Sequence, residues 1–386
     1  MCGRTEVIGI LVHRESLKRN PWERGCSMDQ TTAAPLDSAA AAKAAFASVA
    51  DKPFPSDVFC APQLHWAVIG CGVIANQMAQ SLALAGRKLA GVANRTQEKA
   101  VAFAERYGVE RVYESCEELY ADPDIDAIYI TTPHNTHITY LRDALVAGKH
   151  VLCEKSITLN SAELDEARAI AREHNVVLMD ATTILHMPLY RELVRRADSG
   201  EFGAMNLAQI NFGSYKEYGD LTNRFYNINL AGGAMLDIGV YALSIARLFM
   251  ASAPTEVVSL ANLASTGVDQ TSGFVTRNAE GQLGVFSLSL HSKQPKRSVI
   301  SFDKCYIEVS EYPRADTATI VWTEDGCRET VQAGEEAYAL CYEMADLEAA
   351  VAGDTSKAGL IDIAADVMDV MTRLRADWGV VYPEER

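Results

Sequence analysis

From about residue 64 the chain alternates short apolar runs with longer segments whose apolar positions recur every three or four residues. The runs 66–70, 89–94, 112–113, 127–132, 150–154 and 176–180 read as buried strands. Between them, 74–85, 96–107, 136–147 and 161–174 keep helical spacing. Ser161, ahead of Leu164 and Ala167, offers a cap and an apolar face to the last of these. Strands joined by helical crossovers of this length predict a parallel, doubly wound α/β sheet.

Beyond Pro188 the rhythm changes. A helix to about residue 198 and a strand over 206–212 lead into a loop rich in Tyr, Asn and Gly, followed by a helix over 236–250. The runs 257–263, 270–276, 283–290, 298–302, 306–310, 317–323 and 328–331 then alternate polar and apolar residues with no helix between them. That pattern predicts a large, open, mostly antiparallel sheet in an α+β unit. The tail over 338–377 returns to helical spacing and is expected to pack back on the first domain.

Residues 1–60 follow neither rhythm: they hold Pro21, Pro35, Pro53 and Pro55 and an alanine-rich stretch from Ala39 to Ala50. The first 30 residues read as a loose extension, with Met28 an alternative start, and 37–50 as an added helix capped by Asp37 or Ser38. The apolar run 7–12 is too short for a signal-peptide core and leads into His13 and Arg14. No stretch approaches the roughly 20 apolar residues that span a bilayer, so a cytoplasmic protein without a membrane partner is expected.

Composition adds exclusions. With 35 Lys plus Arg against 51 Asp plus Glu, the net charge of −16 argues against a nucleic-acid partner. Nine scattered cysteines without a C-x-x-C pair argue against a disulfide framework and a structural zinc site. Cys71 and Cys153 read as small packing residues. No His/Asp/Glu cluster has metal-ligand spacing, so no metal is expected.

The strongest chemical signal is the strand Trp66-Ala-Val-Ile running into Gly70-Cys71-Gly72-Val73-Ile74-Ala75, a G-x-G-x-x-A loop that opens a helix. Gly70 permits the tight turn, Gly72 lets the backbone approach a pyrophosphate, and Ala75 keeps helix and strand close. At the end of the second strand, where an acidic residue grips the ribose of NAD, stand Asn94 and Arg95. Loss of that carboxylate beside an arginine favours NADP over NAD.

Three further segments follow in order: Thr131-Thr132-Pro133-His134-Asn135-Thr136-His137, Cys153-Glu154-Lys155-Ser156, and Gly232-Gly-Ala-Met-Leu-Asp237-Ile-Gly-Val-Tyr241. With the glycine loop they make the chain, from about Leu64 to its end, resemble the family of glucose–fructose oxidoreductase, inositol dehydrogenase and the rhizopine-catabolism proteins. The resemblance implies a Rossmann domain over 61–186, after the extension 1–60. It also implies a C-terminal α+β domain over 187–386 whose open sheet forms the interface of a homodimer or homotetramer. It places the lysine of an E-K-P motif, here Lys155, beside the nicotinamide, with Ser156 replacing the proline. The last segment resembles the branch with tyrosine at position 241, found in aldose and dimeric dihydrodiol dehydrogenases.

Oxidising an alcohol requires a hydride to leave carbon while a proton leaves oxygen, and the protein must handle the proton. Lys155 and Tyr241 are the expected acid/base pair, with Asp237 orienting substrate or lysine. Burial and a positive nicotinamide are expected to lower the lysine's pKa. Asp237 and Tyr241, four apart, share a helix face, and Gly232 and Gly233 are expected to let the chain pass close to the ligand. Thr131, Thr132, Pro133, Asn135 and Glu154 are assigned to the cofactor, and His134, His186, Tyr226 and Asn227 to substrate. The substrate expected is a carbohydrate, polyol or cyclic diol. Two other functions fit the motifs: a glycoside hydrolase that uses tightly held NAD transiently, and a dinucleotide-binding protein without turnover.

Overall fold

The computed structural model describes residues 38–49, 52–219 and 221–386; the expected loose extension and Met28 lie outside them. Six strands form the first sheet: β1 (Trp66–Ile69), β2 (Gly91–Ala93), β3 (Arg111–Val112), β4 (Ala127–Ile130), β5 (His150–Cys153) and β6 (Leu178–Asp180). Their order is β3-β2-β1-β4-β5-β6, every pair parallel. The order reverses between β1 and β4, which opens a crevice at their carboxyl ends where such sheets bind ligands. β1 and β4 are buried along their whole length, as strands covered by helices on both faces must be.

The crossover helices fall close to their expected places, with two differences. The helix Ser161–Glu173 is capped by Asn160 rather than Ser161, the Asn160 side chain accepting from the Glu163 amide at 3.0 Å. A six-residue helix, Cys116–Ala121, capped by Ser115, had no sequence counterpart, because so short a segment shows no helical period.

The second sheet has eight strands: β7 (Met205–Gly213), β8 (Pro254–Leu263), β9 (Asp269–Asn278), β10 (Leu283–Ser289), β11 (Gln294–Phe302), β12 (Cys305–Ser310), β13 (Thr317–Trp322) and β14 (Arg328–Gln332). All neighbours are antiparallel except β7 and β10. One face packs on the helices Val240–Phe249 and Leu360–Trp378. The other is open, with Val258 77% and Leu260 83% exposed on β8.

The segment Ile228–Phe249 has the length and apolar composition of a bilayer-spanning helix, against the expectation that no stretch does. Its most apolar 18-residue window is 72% buried inside the protein, so its apolarity serves the core. Ser38–Val49 is helical, as expected of 37–50, and its end is anchored where Lys52 pairs with Glu335 at 3.0 Å.

One apolar cluster runs from Ile69, Ile130 and Cys153 through Leu236 and Ile245 to Ile300 and Ile320, joining the two sheets. The tail does pack back. Glu348, on the helix Ala339–Val351, accepts from the Trp66 indole at 3.0 Å and from Arg87 at 2.6 Å. Met344 and Leu347 on that helix join Trp66, Val68, Met78 and Leu82 in a second cluster.

Candidate active site

The site is assembled where the carboxyl ends of β1, β4 and β5 meet the start of the 235–249 helical segment. Gly70 has φ +103°, and a Cβ there would lie 2.7 Å from the Thr131 hydroxyl. The protein's own packing therefore demands that glycine. Gly72 is different: a Cβ there would meet nothing within 4 Å. It stands at the N-terminus of the helix Val73–Leu84, which has no side-chain cap. Open space beside uncapped amides at a helix N-terminus fits a dinucleotide pyrophosphate. Val73 is 61% exposed at this edge and Ile74 half-buried.

Asn94 staples the loop to the end of β2, accepting from the Cys71 amide at 3.2 Å and donating to the Thr96 carbonyl at 2.9 Å. Arg95 is exposed beside it, with no carboxylate at ion-pair distance among the described residues. Burial pushes the Cys71 thiol up to about 11 and Cys153 well above its ordinary value. Both stay thiols at neutral pH and act as packing groups.

After β4 the chain turns through a short 3₁₀ segment, His134–Thr136. Thr131 donates to the Ile69 carbonyl at 3.1 Å, and the Thr132 hydroxyl bonds that of Thr136 at 2.9 Å. Pro133 is exposed on the crevice side. Asn135 donates to Glu384 at 2.6 Å and to the Asn229 carbonyl at 3.3 Å, while its buried carbonyl oxygen has no partner. His137 is buried beneath this turn, its ring nitrogens 3.0 Å from the Ser156 carbonyl and 2.8 Å from that of Thr132.

Lys155 is the hub. Its ammonium donates to the Asp237 main-chain carbonyl at 2.7 Å and lies 3.2 Å from the Asp237 carboxylate. The two side chains are only 13% and 12% exposed. It also sits 5.0 Å from the Tyr241 ring centroid, an attractive cation–π geometry. Tyr241 is half-buried, and its hydroxyl bonds none of the described residues. The turn carrying Asp237, Met235–Gly239, is a π-helix. Such widened turns recur at functional sites. Here the Leu236 and Asp237 carbonyls accept from the Ser156 hydroxyl at 2.9 Å and from Lys155. The Lys155–Ser156 peptide is cis.

The charge state of Lys155 differs from the expectation. Burial acts to lower its pKa, but the Asp237 carboxylate, then Tyr241, outweigh it and hold the group above its ordinary value. Asp237 is buried too, yet Lys155 and then Arg224 keep its carboxyl well below the usual range. The pair is thus a charged ammonium–carboxylate at neutral pH. His134, facing the same pair, is driven down to about 3 by burial and by Lys155, so its ring is neutral.

Not every expected contact is made. His186 is fully buried and bonds Asp346 at 2.9 Å and the Asp180 carbonyl at 2.8 Å; it ties the helix Ala339–Val351 to β6 and does not face substrate. The Tyr226 hydroxyl is committed to the Leu290 carbonyl at 2.9 Å. Asn227 spends its amide on the Asn229 N–H at 3.0 Å and the Thr222 carbonyl at 3.3 Å. A Cβ on Gly232 would strike the Arg224 and Phe225 carbonyls at 2.7 Å, and one on Gly233 would strike Asp269. Both glycines therefore serve the packing of the loop, not an approach to ligand. The Glu154 carboxylate turns inward, accepting from the buried Tyr129 hydroxyl, and burial raises its pKa.

Residues not singled out in the sequence also appear here. Arg224 reaches within 3.6 Å of Asp237, and Lys216 lies on the same loop. Glu343 is fully buried behind Glu154. Nothing in a linear pattern marks these, because their positions are set by the packing of loop and tail.

Sequence comparison finds two matching family profiles. One, an oxidoreductase family with an NAD-binding Rossmann fold, covers residues 64–182; the other, the GFO/IDH/MocA C-terminal domain, covers 190–309. Trans-1,2-dihydrobenzene-1,2-diol dehydrogenase from Mus musculus is 32% identical over 254 residues, 64% of this chain and 75% of that protein. Among solved structures, a 3-ketoreductase from Actinomadura kijaniata in complex with NADP and TDP-benzene superposes with a TM-score of 0.70 at 24% identity, covering 82% of this chain and 98% of its own. A levoglucosan dehydrogenase in complex with NADH and levoglucosan gives 0.71 at 20% identity, covering 81% and 97%.

Proposed function

This chain belongs to the GFO/IDH/MocA family of NAD-binding oxidoreductases, and from that premise we propose that it interconverts a CH–OH group and a carbonyl on a sugar, polyol or cyclic diol, with NADP as the favoured cofactor. The observation that carries this reading is the convergence of Lys155, Asp237 and Tyr241 beside the open cradle at Gly72. The exposed Arg95, with no carboxylate at ion-pair distance among the described residues, supports the preference for a 2′-phosphate.

The nicotinamide, when bound, supplies or takes up the hydride. The protein's part is the proton. In carbonyl reduction Lys155 is already an ammonium, oriented by the Asp237 carbonyl and carboxylate, and donates to the carbonyl oxygen as negative charge develops there. In alcohol oxidation the same nitrogen must first lose its proton, so the rate rises with pH. Tyr241, whose hydroxyl bonds none of the described residues, holds the substrate oxygen from the other side. His134, neutral, is free to bond a neighbouring hydroxyl.

We also propose a homodimer formed through the open face of the second sheet. Val258, Val275 and Val285 stand in register across β8, β9 and β10, and Leu260 is exposed on the same face as Val258. An apolar stripe of this kind fits a second copy of itself.

The test is a titration of the purified protein with NADPH and NADH, followed by turnover of aldoses and diols by the native protein and by Lys155→Ala. Tighter NADPH binding, and loss of turnover in Lys155→Ala with cofactor affinity kept within a few-fold, is the expected result. Retained turnover in the variant refutes the role of Lys155. Cofactor that co-purifies and will not exchange, with release of sugar from a glycoside, replaces the dehydrogenase reading with a hydrolase that recycles its cofactor.

A further inference from the structure

The cleft above Lys155 holds more positive charge than its own residues need. The Asp237 carboxylate is already bonded to Lys155. Arg224 approaches the same carboxylate oxygen only to 3.6 Å, and its side chain is 61% exposed. Lys216 is half-buried and has no carboxylate at ion-pair distance among the described residues. Among the described residues, Lys155, Arg224 and Lys216 all act on the Asp237 carboxylate, in a chain whose net charge is −16. An acidic protein that concentrates positive charge in one cleft focuses its field there.

The two surplus cations are built into the wall. The Lys216 ammonium and the Arg224 guanidinium both lie against the Phe225 ring, 4.3 and 4.4 Å from its centroid. The Lys216 amide donates to the Leu290 carbonyl at 2.7 Å, the Tyr226 hydroxyl donates to the same carbonyl at 2.9 Å, and the Gly233 amide donates to the Phe225 carbonyl at 2.9 Å. These bonds pin the loop to the end of β10. Arg224 shares with Lys155 a contact to one Asp237 oxygen, at 3.6 and 3.2 Å, so their cationic atoms are within about 7 Å of each other. That span suits a small molecule whose reacting hydroxyl and charged group are a few bonds apart.

We propose that the substrate carries an anionic group, a carboxylate or a phosphate, held by Lys216 and Arg224 while its hydroxyl or carbonyl faces Lys155 and Tyr241. This inference rests on the oxidoreductase reading above and narrows its substrate class. Half-burying an ammonium without a counter-charge is costly, and a substrate anion offsets that cost on binding. The planar guanidinium adds two-point recognition of either oxyanion.

The experiment uses the full chain loaded with NADP and compares glucose, glucuronate and glucose 6-phosphate in a hydride-transfer assay. At least one anionic sugar is expected to exceed glucose in kcat/KM by about tenfold or more. The ratio of anionic to neutral kcat/KM is expected to fall by about tenfold in Lys216→Gln combined with Arg224→Gln. A lead for glucuronate assigns a carboxylate and a lead for glucose 6-phosphate a phosphate. Glucose turned over as well as either anion, or a ratio unmoved in the double variant, overturns the proposal and leaves the oxidoreductase reading standing. Equilibrium dialysis of glucuronate and glucose 6-phosphate against the loaded protein decides the matter if none of the three is turned over. Binding abolished by the double substitution upholds the anion site, and no binding of either refutes it. Anions bound by a protein that transfers no hydride to any alcohol would instead refute the oxidoreductase reading.

Discussion

Replacing Asp237 by Asn should move the pH dependence of both reaction directions, and the direction is fixed by geometry. The carboxylate oxygen lies 3.2 Å from the Lys155 ammonium. At an effective dielectric constant of about 20 that attraction is worth about 5 kcal/mol. Not all of it is lost in the variant: the Asp237 main-chain carbonyl stays at 2.7 Å, and the native carboxylate is shared with Arg224. A fall of about one to three pH units in the lysine's titration is therefore expected. The sign is worked from the native balance. Burial opposes the ammonium and Asp237 upholds it; without the carboxylate, burial and the Arg224 charge act together and the proton leaves at lower pH. The assay is kcat/KM for alcohol oxidation from about pH 6 to about pH 11, with cofactor saturating. Asp237→Asn should reach its plateau at lower pH than the native protein, and the alkaline decline of carbonyl reduction should shift down with it. Profiles that coincide to within about half a pH unit would mean that Lys155 is not the titrating group, or that Asp237 does not set its charge.

The two glycines of the first loop should separate stability from binding. Gly70→Ala must force a side chain into a left-handed backbone against Thr131 and should lower Tm by several degrees, whereas Gly72→Ala should leave Tm within about a degree and weaken NADPH binding in a titration. A Gly72→Ala protein that binds NADPH normally would remove the cradle from the cofactor site. Burial, then Glu154, pushes the Glu343 carboxyl well above its ordinary range, so the folded chain binds a proton that the unfolded chain releases. Stability is then full below the ordinary carboxyl pKa and declines as pH rises above it. Glu343→Gln should accordingly raise Tm by a few degrees at neutral pH and leave it unchanged in mild acid; a lower Tm at pH 7 refutes a protonated Glu343. Arg95→Asp should reverse the preference between NADPH and NADH, measured as the ratio of dissociation constants, and an unchanged ratio sinks its assignment to the 2′-phosphate.

Much of the frame was legible because it rests on short-range regularities. Apolar runs located all six parallel strands, most clearly β1 and β4, which are covered on both faces and have no polar alternation to obscure them. The glycine loop and the spacing of Lys155, Asp237 and Tyr241 led to one cleft. What failed depends on contacts distant in sequence. His186 and Tyr226 looked like polar residues available to ligand, but Asp346 and the Leu290 carbonyl had claimed them. The charge of Lys155 was misjudged for the same reason: burial could be anticipated, the length of its bond to Asp237 could not. Nothing in the linear pattern marks Lys216 and Arg224, because only the folded loop sets both against Phe225.

The helix Ala339–Val351 also governs how the chain is made. Trp66 and Arg87 belong to the first strand and the end of the first crossover, yet their hydrogen-bonding partner is Glu348, more than 250 residues later. The nucleotide-binding half therefore leaves the ribosome with one flank of its core uncovered, and with Trp66, Met78 and Leu82 waiting for Met344 and Leu347. Contacts of such long range slow folding and lengthen the exposure of apolar surface to aggregation. A fragment ending near residue 186 is accordingly a poor autonomous unit, and maturation of the cofactor cleft is a late event that awaits completion of the chain.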